Sequence, residues 1–161
     1  MLFKELMEQK KIISTFGILN RTFLSYITES LLEQNISYSD SIFLVNIGAK
    51  EGITQEEIAN NLAIDKAAVA RSVKNMQKKG YVRTVQSDLD RRAKELYLTE
   101  TGKELDQLML QINSKWMNYV LGSLSQEEIK TFSQTIYEIG MRAKEYNKPV
   151  AKISLKESDI L

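Results

Sequence analysis

The sequence contains no cysteine and no histidine among its 161 residues. Without cysteine the chain can form no disulfide, no thiol redox switch and no thiolate metal site. Without histidine it lacks the commonest metal ligand and the commonest general base near neutral pH. The sequence also has no nucleophile elbow, no P-loop and no glycine-rich dinucleotide fingerprint. These absences predict that the protein is not an enzyme and carries no cofactor.

Proline and glycine are scarce, with one and seven residues respectively, so we expect no long flexible linker. A composition of 43% hydrophobic and 27% charged residues predicts one globular domain, or two subdomains that share a core. Acids and lysines interrupt the apolar residues of the first segment, MLFKELMEQKKII, which differs from a signal peptide. No run approaches the roughly 18 apolar residues of a membrane span. We therefore expect a cytoplasmic protein.

Basic residues cluster in one part of the chain. Residues 65–94 contain nine basic and three acidic side chains, a local net charge of +6, whereas the rest of the chain carries −5. A basic face on an acidic body is typical of a protein that binds a phosphate backbone. The alternative is a chance clustering of solvated lysines.

Apolar residues recur at helical spacing through most of the sequence. They predict a long first helix over about residues 4–33, and a second helix capped by Ser39 that runs through Val45 and stops near Gly48 to Gly52. Thr54 and Glu57 form a capping-box pattern before a short third helix. Asp65 is the predicted N-cap of a fourth helix, over about 65–79.

After Gly80 the apolar period changes from about 3.6 to 2. Segments 81–86 and 95–99 predict two antiparallel strands, joined by the charged loop SDLDRRAK. Thr99 is the predicted cap of the next helix. A second capping box at Ser125 begins a last helix that we expect to end before Pro149, followed by a tail over 149–161.

The order helix, turn, helix, hairpin is that of a winged helix-turn-helix, so we predict a mainly α (α+β) protein with this fold. In such a fold the second helix of the pair lies in the DNA major groove, while the first helix braces the backbone and the hairpin flanks it as a wing.

The segments ITQEEIANNLAIDKAAVARSVKNMQKKGYV, DLDRRAK and LYLTETGKEL resemble the MarR family of bacterial transcription regulators. The match covers about residues 50–105 closely, and the long flanking helices agree with the dimerisation helices of the family. The resemblance implies a DNA-binding regulator, expected to be a repressor, with double-stranded DNA as its partner. It also implies a DNA-binding region over 36–99 and a helical dimerisation region over 1–35 and 100–148.

The resemblance assigns roles to individual residues. Asp90 would hold the tip of the wing in shape and Arg92 would enter the minor groove, where a narrow A·T-rich groove favours arginine. Arg91 and Lys94 would either contact phosphates or form a solvated face. The predicted groove-facing set on the recognition helix is Lys66, Ala67, Ala68, Arg71, Lys74 and Asn75.

Arg71 is the best candidate for a guanine contact in this set, and Asn75 is a weaker candidate for a base contact. Many family members carry Ser or Thr where Ala67 and Ala68 stand here. Alanine cannot hydrogen-bond a base edge, although its methyl group can contact thymine. The alternative explanation for the two alanines is helix propensity alone.

The long terminal helices carry more apolar surface than a small recognition module can cover, so we expect a homodimer. Two recognition helices related by a two-fold axis would lie about 34–36 Å apart, which predicts a palindromic operator. The resemblance also implies a small aromatic or phenolic effector. The side chains that could line its pocket are Phe16, Phe23, Tyr26, Trp116 and Tyr119. The alternative for each of them is ordinary core or dimer interface.

Two other functions stay open at this point. A winged-helix module that binds proteins would not need Arg92 for duplex affinity. An enzyme that uses carboxylates with serine or lysine would need a motif that the sequence does not contain.

Overall fold

A computed structural model describes residues 2–87 and 93–146. It is mainly helical with one small sheet, as predicted. The elements in chain order are α1 (Leu2–Ser30), α2 (Tyr38–Ala49), β1 (Ile53–Thr54), α3 (Gln55–Leu62), α4 (Lys66–Lys78), β2 (Val82–Gln86), β3 (Lys94–Leu98), α5 (Glu100–Leu121) and α6 (Gln126–Tyr146).

Helix α1 ends at Ser30, a little before the predicted end near residue 33. The following turn contains Asn35 in the left-handed conformation, with φ of 50°, which asparagine adopts more readily than most residues. The ammonium of Lys79 donates to the Asn35 carbonyl at 2.6 Å. The end of α1 is therefore tied to the end of α4.

Helix α2 begins at a cap other than the one predicted but ends within the predicted range. Its N-cap is Ser37 rather than Ser39, because the Ser37 hydroxyl accepts from the Asp40 N–H at 3.1 Å. The helix continues past Val45 to Ala49. Gly48 lies within it as a packing residue, since a Cβ there would approach Asp106 Oδ2 to 2.3 Å.

The sheet has three strands in the order β1-β3-β2, all antiparallel. The predicted hairpin is confirmed as β2 and β3, with Val82 opposite Leu98 and Gln86 opposite Lys94. The two-residue strand β1 was not predicted; it pairs Ile53 with Leu96. This pairing fixes the start of α3 against the base of the wing.

Helix α5 begins at the predicted cap. The Thr99 hydroxyl accepts from the Gly102 N–H at 3.0 Å and donates to the Gly80 carbonyl at 2.6 Å. Gly102 is buried against the turn after α4, where an added Cβ would lie 2.0 Å from the Tyr81 carbonyl oxygen. Threonine and glycine at this spacing therefore join the wing to the long helix.

One hydrophobic core lies between α1, α2, α5 and the helix-turn-helix. Fully buried side chains from each part meet there, among them Ile27, Leu44, Ile58, Val69, Leu96 and Met109. Helix α6 is different, because none of its residues is buried. Its start at the Ser125 capping box agrees with the prediction, and its predicted end before Pro149 lies outside the described residues.

Candidate nucleic-acid interface

Helix α4 separates an inner apolar face from an outer polar one. Its N-cap Asp65 accepts from the Ala68 N–H at 3.1 Å, as predicted. Val69, Val73 and Met76 are buried against the core. The predicted groove-facing residues lie on the other side of the helix, where Lys66, Ala67, Arg71, Lys74 and Asn75 are exposed and Ala68 is half-buried.

Helix α3 precedes α4 and is held by the predicted capping box. The Glu57 carboxylate accepts from the Thr54 N–H at 2.8 Å, and the Thr54 hydroxyl accepts from the Glu57 N–H at 3.2 Å. The pKa of the Glu57 carboxyl is lowered to about 2. The main cause is the hydrogen bond from the Lys50 ammonium, which lies 2.6 Å from Glu57 Oε1, and the two hydrogen bonds from Thr54 add to it. The supporting helix of the pair is thus anchored at its first turn.

An exposed ion pair links the two helices. Lys66 Nζ lies 2.6 Å from Glu56 Oε1, and both side chains are well exposed. Exposed pairs of this kind contribute about 0.2–1 kcal/mol. Lys66 can therefore exchange Glu56 for a phosphate at small cost.

A buried acid connects α2 to α4. Asp40 is 5% exposed, and its carboxylate accepts hydrogen bonds from the Ser72 hydroxyl and from Asn75 Nδ2, the latter at 2.7 Å. A cleft of about 470 Å³ opens beside this network, with Ser39 on one side and Arg71 on the other. Asp40 and Ser72 were not predicted as site residues.

The wing is described up to its tip. The Ser87 N–H donates to the Ala93 carbonyl at 3.1 Å, which closes the hairpin on either side of residues 88–92. The predicted wing residues Asp90, Arg91 and Arg92 lie outside the described residues. Lys94, the first residue of β3, is exposed on the same hairpin.

The outer surface of the wing carries its own contacts. Arg83 on β2 stacks on the Tyr97 ring at 4.7 Å from the centroid, a cation–π contact between paired strands. The Tyr97 hydroxyl donates to Glu95 Oε2 at 2.8 Å. The hydroxyl of Ser87, and then that of Tyr97, lowers the pKa of Glu95. These contacts stiffen the hairpin that carries the tip.

Three of the predicted pocket residues come together, and two do not. The ring centroids of Phe23 and Trp116 are 4.9 Å apart in an edge-to-face arrangement, and the Tyr26 hydroxyl donates to the Ile112 carbonyl at 3.0 Å. Phe16 and Tyr119 are instead 44% and 88% exposed.

The described ranges contain no helix that is long and apolar enough to cross a membrane. Within the same ranges, no group of three or more Asp and Glu side chains is placed to hold a metal ion. The functional features of the described residues are therefore the helix pair α3 and α4, the wing, and the basic outer face of α4.

Known proteins share these features. Residues 34–93 match the family model described as MarR family. Over these residues the chain is similar to the MarR family. Among curated relatives, the HTH-type transcriptional regulator BilQ of Clostridium symbiosum is 28% identical over 123 residues, which cover 76% of this chain and 85% of that protein. The HTH-type transcriptional regulator YybA of Bacillus subtilis is 23% identical over 128 residues, which cover 80% of this chain and 85% of the relative.

Solved structures agree on the fold. A MarR transcriptional regulator from Methanosarcina mazei superimposes with a TM-score of 0.74 at 28% identity, over 83% of this chain and 99% of that one. A MarR family regulator from Listeria monocytogenes, solved in complex with a 26mer DNA, gives a TM-score of 0.77 at 25% identity, over 83% of this chain and 89% of its own. In sequence and fold the chain is similar to winged helix-turn-helix transcriptional regulators of the MarR family, and not to enzymes.

Proposed function

We propose that the protein is a homodimeric repressor that binds a palindromic double-stranded operator through α4 and the wing. The observation that carries this proposal is the division of α4. Its inner side chains are buried, which holds the helix on the core, while Lys66, Arg71 and Lys74 stand exposed on its outer face. An exposed arginine flanked by lysines suits a groove bordered by phosphates, because arginine can read guanine bidentately while lysines neutralise the backbone.

The proposed division of labour follows the predicted regions. Residues 36–99 bind DNA, and residues 1–35 and 100–148 form the dimer. The support for the second part is the exposed apolar surface of α1, α5 and α6, which a second copy of the chain would cover. The predicted tail over 149–161 lies outside the described residues.

Selection of bound sequences from a random duplex pool tests the proposal. We expect enrichment of an inverted repeat whose half-sites are about one helical turn apart. The affinity for the selected duplex should fall steeply with salt, with a slope of log affinity against log salt near −0.9 for each phosphate neutralised. A protein that binds no duplex at low salt would contradict the proposal.

A winged-helix protein-interaction module is the alternative. It predicts that Arg92→Ala leaves duplex affinity unchanged, whereas a wing in the minor groove predicts a loss. The Listeria regulator solved in complex with DNA is similar in structure to 83% of this chain. This similarity favours DNA as the partner.

We further propose that a small aromatic or phenolic effector releases the operator by entering the cluster of Phe23, Tyr26 and Trp116. Asn113, one residue beyond Ile112 on α5, has a buried Oδ1 with no hydrogen-bond partner in the described part of the chain. A buried acceptor without a donor costs free energy that a phenolic hydroxyl could recover. Entry of a ligand would separate the two recognition helices and shift the population away from the DNA-bound form.

A thermal-shift panel of phenolic acids and hydrophobic drugs tests the effector. We expect at least one compound to raise the melting temperature, and we expect Asn113→Leu to reduce that rise. Asn118→Leu is the matched control, because Asn118 is an exposed residue of the same helix. No response to the whole panel would contradict the pocket, and an equal loss in both variants would contradict the role of Asn113.

A further inference from the structure

We propose that Asp40 is a positioning residue for DNA recognition: it sets the rotation of α4 and withdraws the Asn75 amide from base contact, so that Arg71 reads the groove. The inference rests on the proposed function, since it concerns how α4 meets the bases. It adds a residue from outside the helix-turn-helix and changes the role expected of Asn75.

The geometry of the network carries the first step. Asp40 lies in the first turn of α2, whereas its two donors lie on α4 at positions 72 and 75. Residues three apart on a helix lie on one face, about a turn from each other. One carboxylate therefore bonds two successive turns of α4, which fixes the rotation of the helix about its axis as well as its distance from α2.

The other side-chain hydrogen bonds of α4, made by Lys66, Gln77 and Lys79, are exposed and constrain the rotation of the helix less. Val69, Val73 and Met76 pack by apolar contact, which is strong but has little directional preference. Arg71 is next to Ser72 in the chain, so any rotation of Ser72 away from Asp40 moves the guanidinium across the groove. Binding constellations tolerate only about 0.5 Å and 10–20° before affinity suffers.

Asp40 suits this role because an ionised carboxylate only accepts hydrogen bonds. It offers two oxygens and needs donors for both. The Ser72 hydroxyl, which is buried beside Asp40, and the amide of the exposed Asn75 supply them. The N-terminal end of the α2 dipole, which favours negative charge, lies beside the carboxylate.

The same network determines what Asn75 does. An asparagine that recognises adenine presents its amide oxygen and its amide N–H together to one base edge. Here Nδ2 is 2.7 Å from Asp40 Oδ2, so the amide is turned toward α2. Asn75 is therefore expected to act through Asp40 and not as an independent reader of the operator.

A double-mutant cycle of Asp40→Ala and Asn75→Ala tests the inference in the full-length protein. The readout is the ratio of affinities for the selected operator and for single-base variants of it, with non-specific duplex affinity measured alongside. At the base pair that Arg71 contacts, each single substitution should reduce the affinity ratio between the preferred and the wrong base by about fivefold or more. A bidentate contact supplies a ratio of about 5- to 150-fold. The double variant should lose no more than Asp40→Ala alone, because both act through one network.

Ser39→Ala is the control, since Ser39 is exposed, neighbours Asp40 and borders the same cleft. It should keep the wild-type base preferences. A purely structural role for Asp40 would lower specific and non-specific affinity together, and would show as a lower urea midpoint without a change in preference. If Asp40→Ala does not fold, Asn75→Ala and Ser72→Ala are used in its place. Both should reduce the base preference at the base pair that Arg71 contacts.

Two results would overturn the inference. In one, Asn75→Ala reduces the preference for a single base by the same factor whether residue 40 is Asp or Ala, so that Asn75 acts independently of Asp40. In the other, every network variant keeps the wild-type base preferences while the protein still selects an operator. Failure of the wild-type protein to select any duplex would instead contradict the proposed function.

Discussion

Arg71→Ala should lower the affinity for the operator by about 5- to 150-fold, equivalent to about 1–3 kcal/mol, and should relax preference at one base pair in each half-site. The reason is that Arg71 is exposed on the outer face of α4, the helix whose opposite face is buried in the core. Fluorescence anisotropy with the selected operator and its single-base variants measures both effects.

Arg71→Lys separates charge from base recognition. Lysine keeps the attraction to phosphate but lacks the planar fork of guanidinium. We expect the preference at the guanine to fall while the salt slope stays close to the wild-type value. Lys130→Ala removes a positive charge from the polar side of α6 and should leave the preference unchanged. Equal effects of Arg71→Ala at every base position would mean that Arg71 only contacts the backbone.

Phe132→Glu combined with Ile136→Glu should convert the proposed dimer to a monomer and abolish tight operator binding. Both side chains are 37% exposed on one side of α6, four residues apart, and α6 buries none of its residues within the protomer. Burying a large apolar side chain contributes about 1.5–3 kcal/mol, and the two-fold axis repeats each loss. We expect the dimer dissociation constant to rise about a thousandfold or more, measured by sedimentation equilibrium.

The matched control places the same two charges on the other side of α6. Thr131→Glu combined with Gln134→Glu adds two carboxylates to the polar side of the helix, where Glu127 and Lys130 also lie. This variant should stay dimeric and bind the operator. If both double variants dissociate, or neither does, the apolar side of α6 is not the dimer interface.

Local signals in the sequence were enough to predict most of the fold. Thr54, Asp65, Thr99 and Ser125 each cap the helix that was predicted to follow, because an N-cap bond closes within three residues. The wing was predictable because strand periodicity differs from helix periodicity over even a few residues.

The errors came from tertiary contacts. Ser37 and Ser39 can both cap α2, and Ser37 is the cap in the structure. Gly48 lies near the end of α2, as predicted, but its close packing against Asp106 could not be seen in the sequence. Strand β1 has two residues and exists only through its pairing with β3. No local sequence pattern predicts this pairing.

The candidate site also has residues that the sequence could predict and residues that it could not. The exposed face of α4 follows from its apolar stripe, so Arg71 and Lys74 could be placed from the sequence. The role of Asp40 could not, because its partners lie more than thirty residues along the chain and one sequence gives no measure of burial. The only local signal in the sequence is the position of Asp40, an aspartate in the first turn of a largely apolar helix.

The isolation of α6 within its own protomer has a consequence for the cell. A helix of 21 residues that buries no side chain gains little from the rest of its chain, and isolated helices are marginal in water. If a second copy supplies the missing contacts, the order of this segment depends on how much protein is present. Newly made chains at low abundance would then be the form most exposed to proteases, and the number of working regulators would rise more steeply than the rate of synthesis.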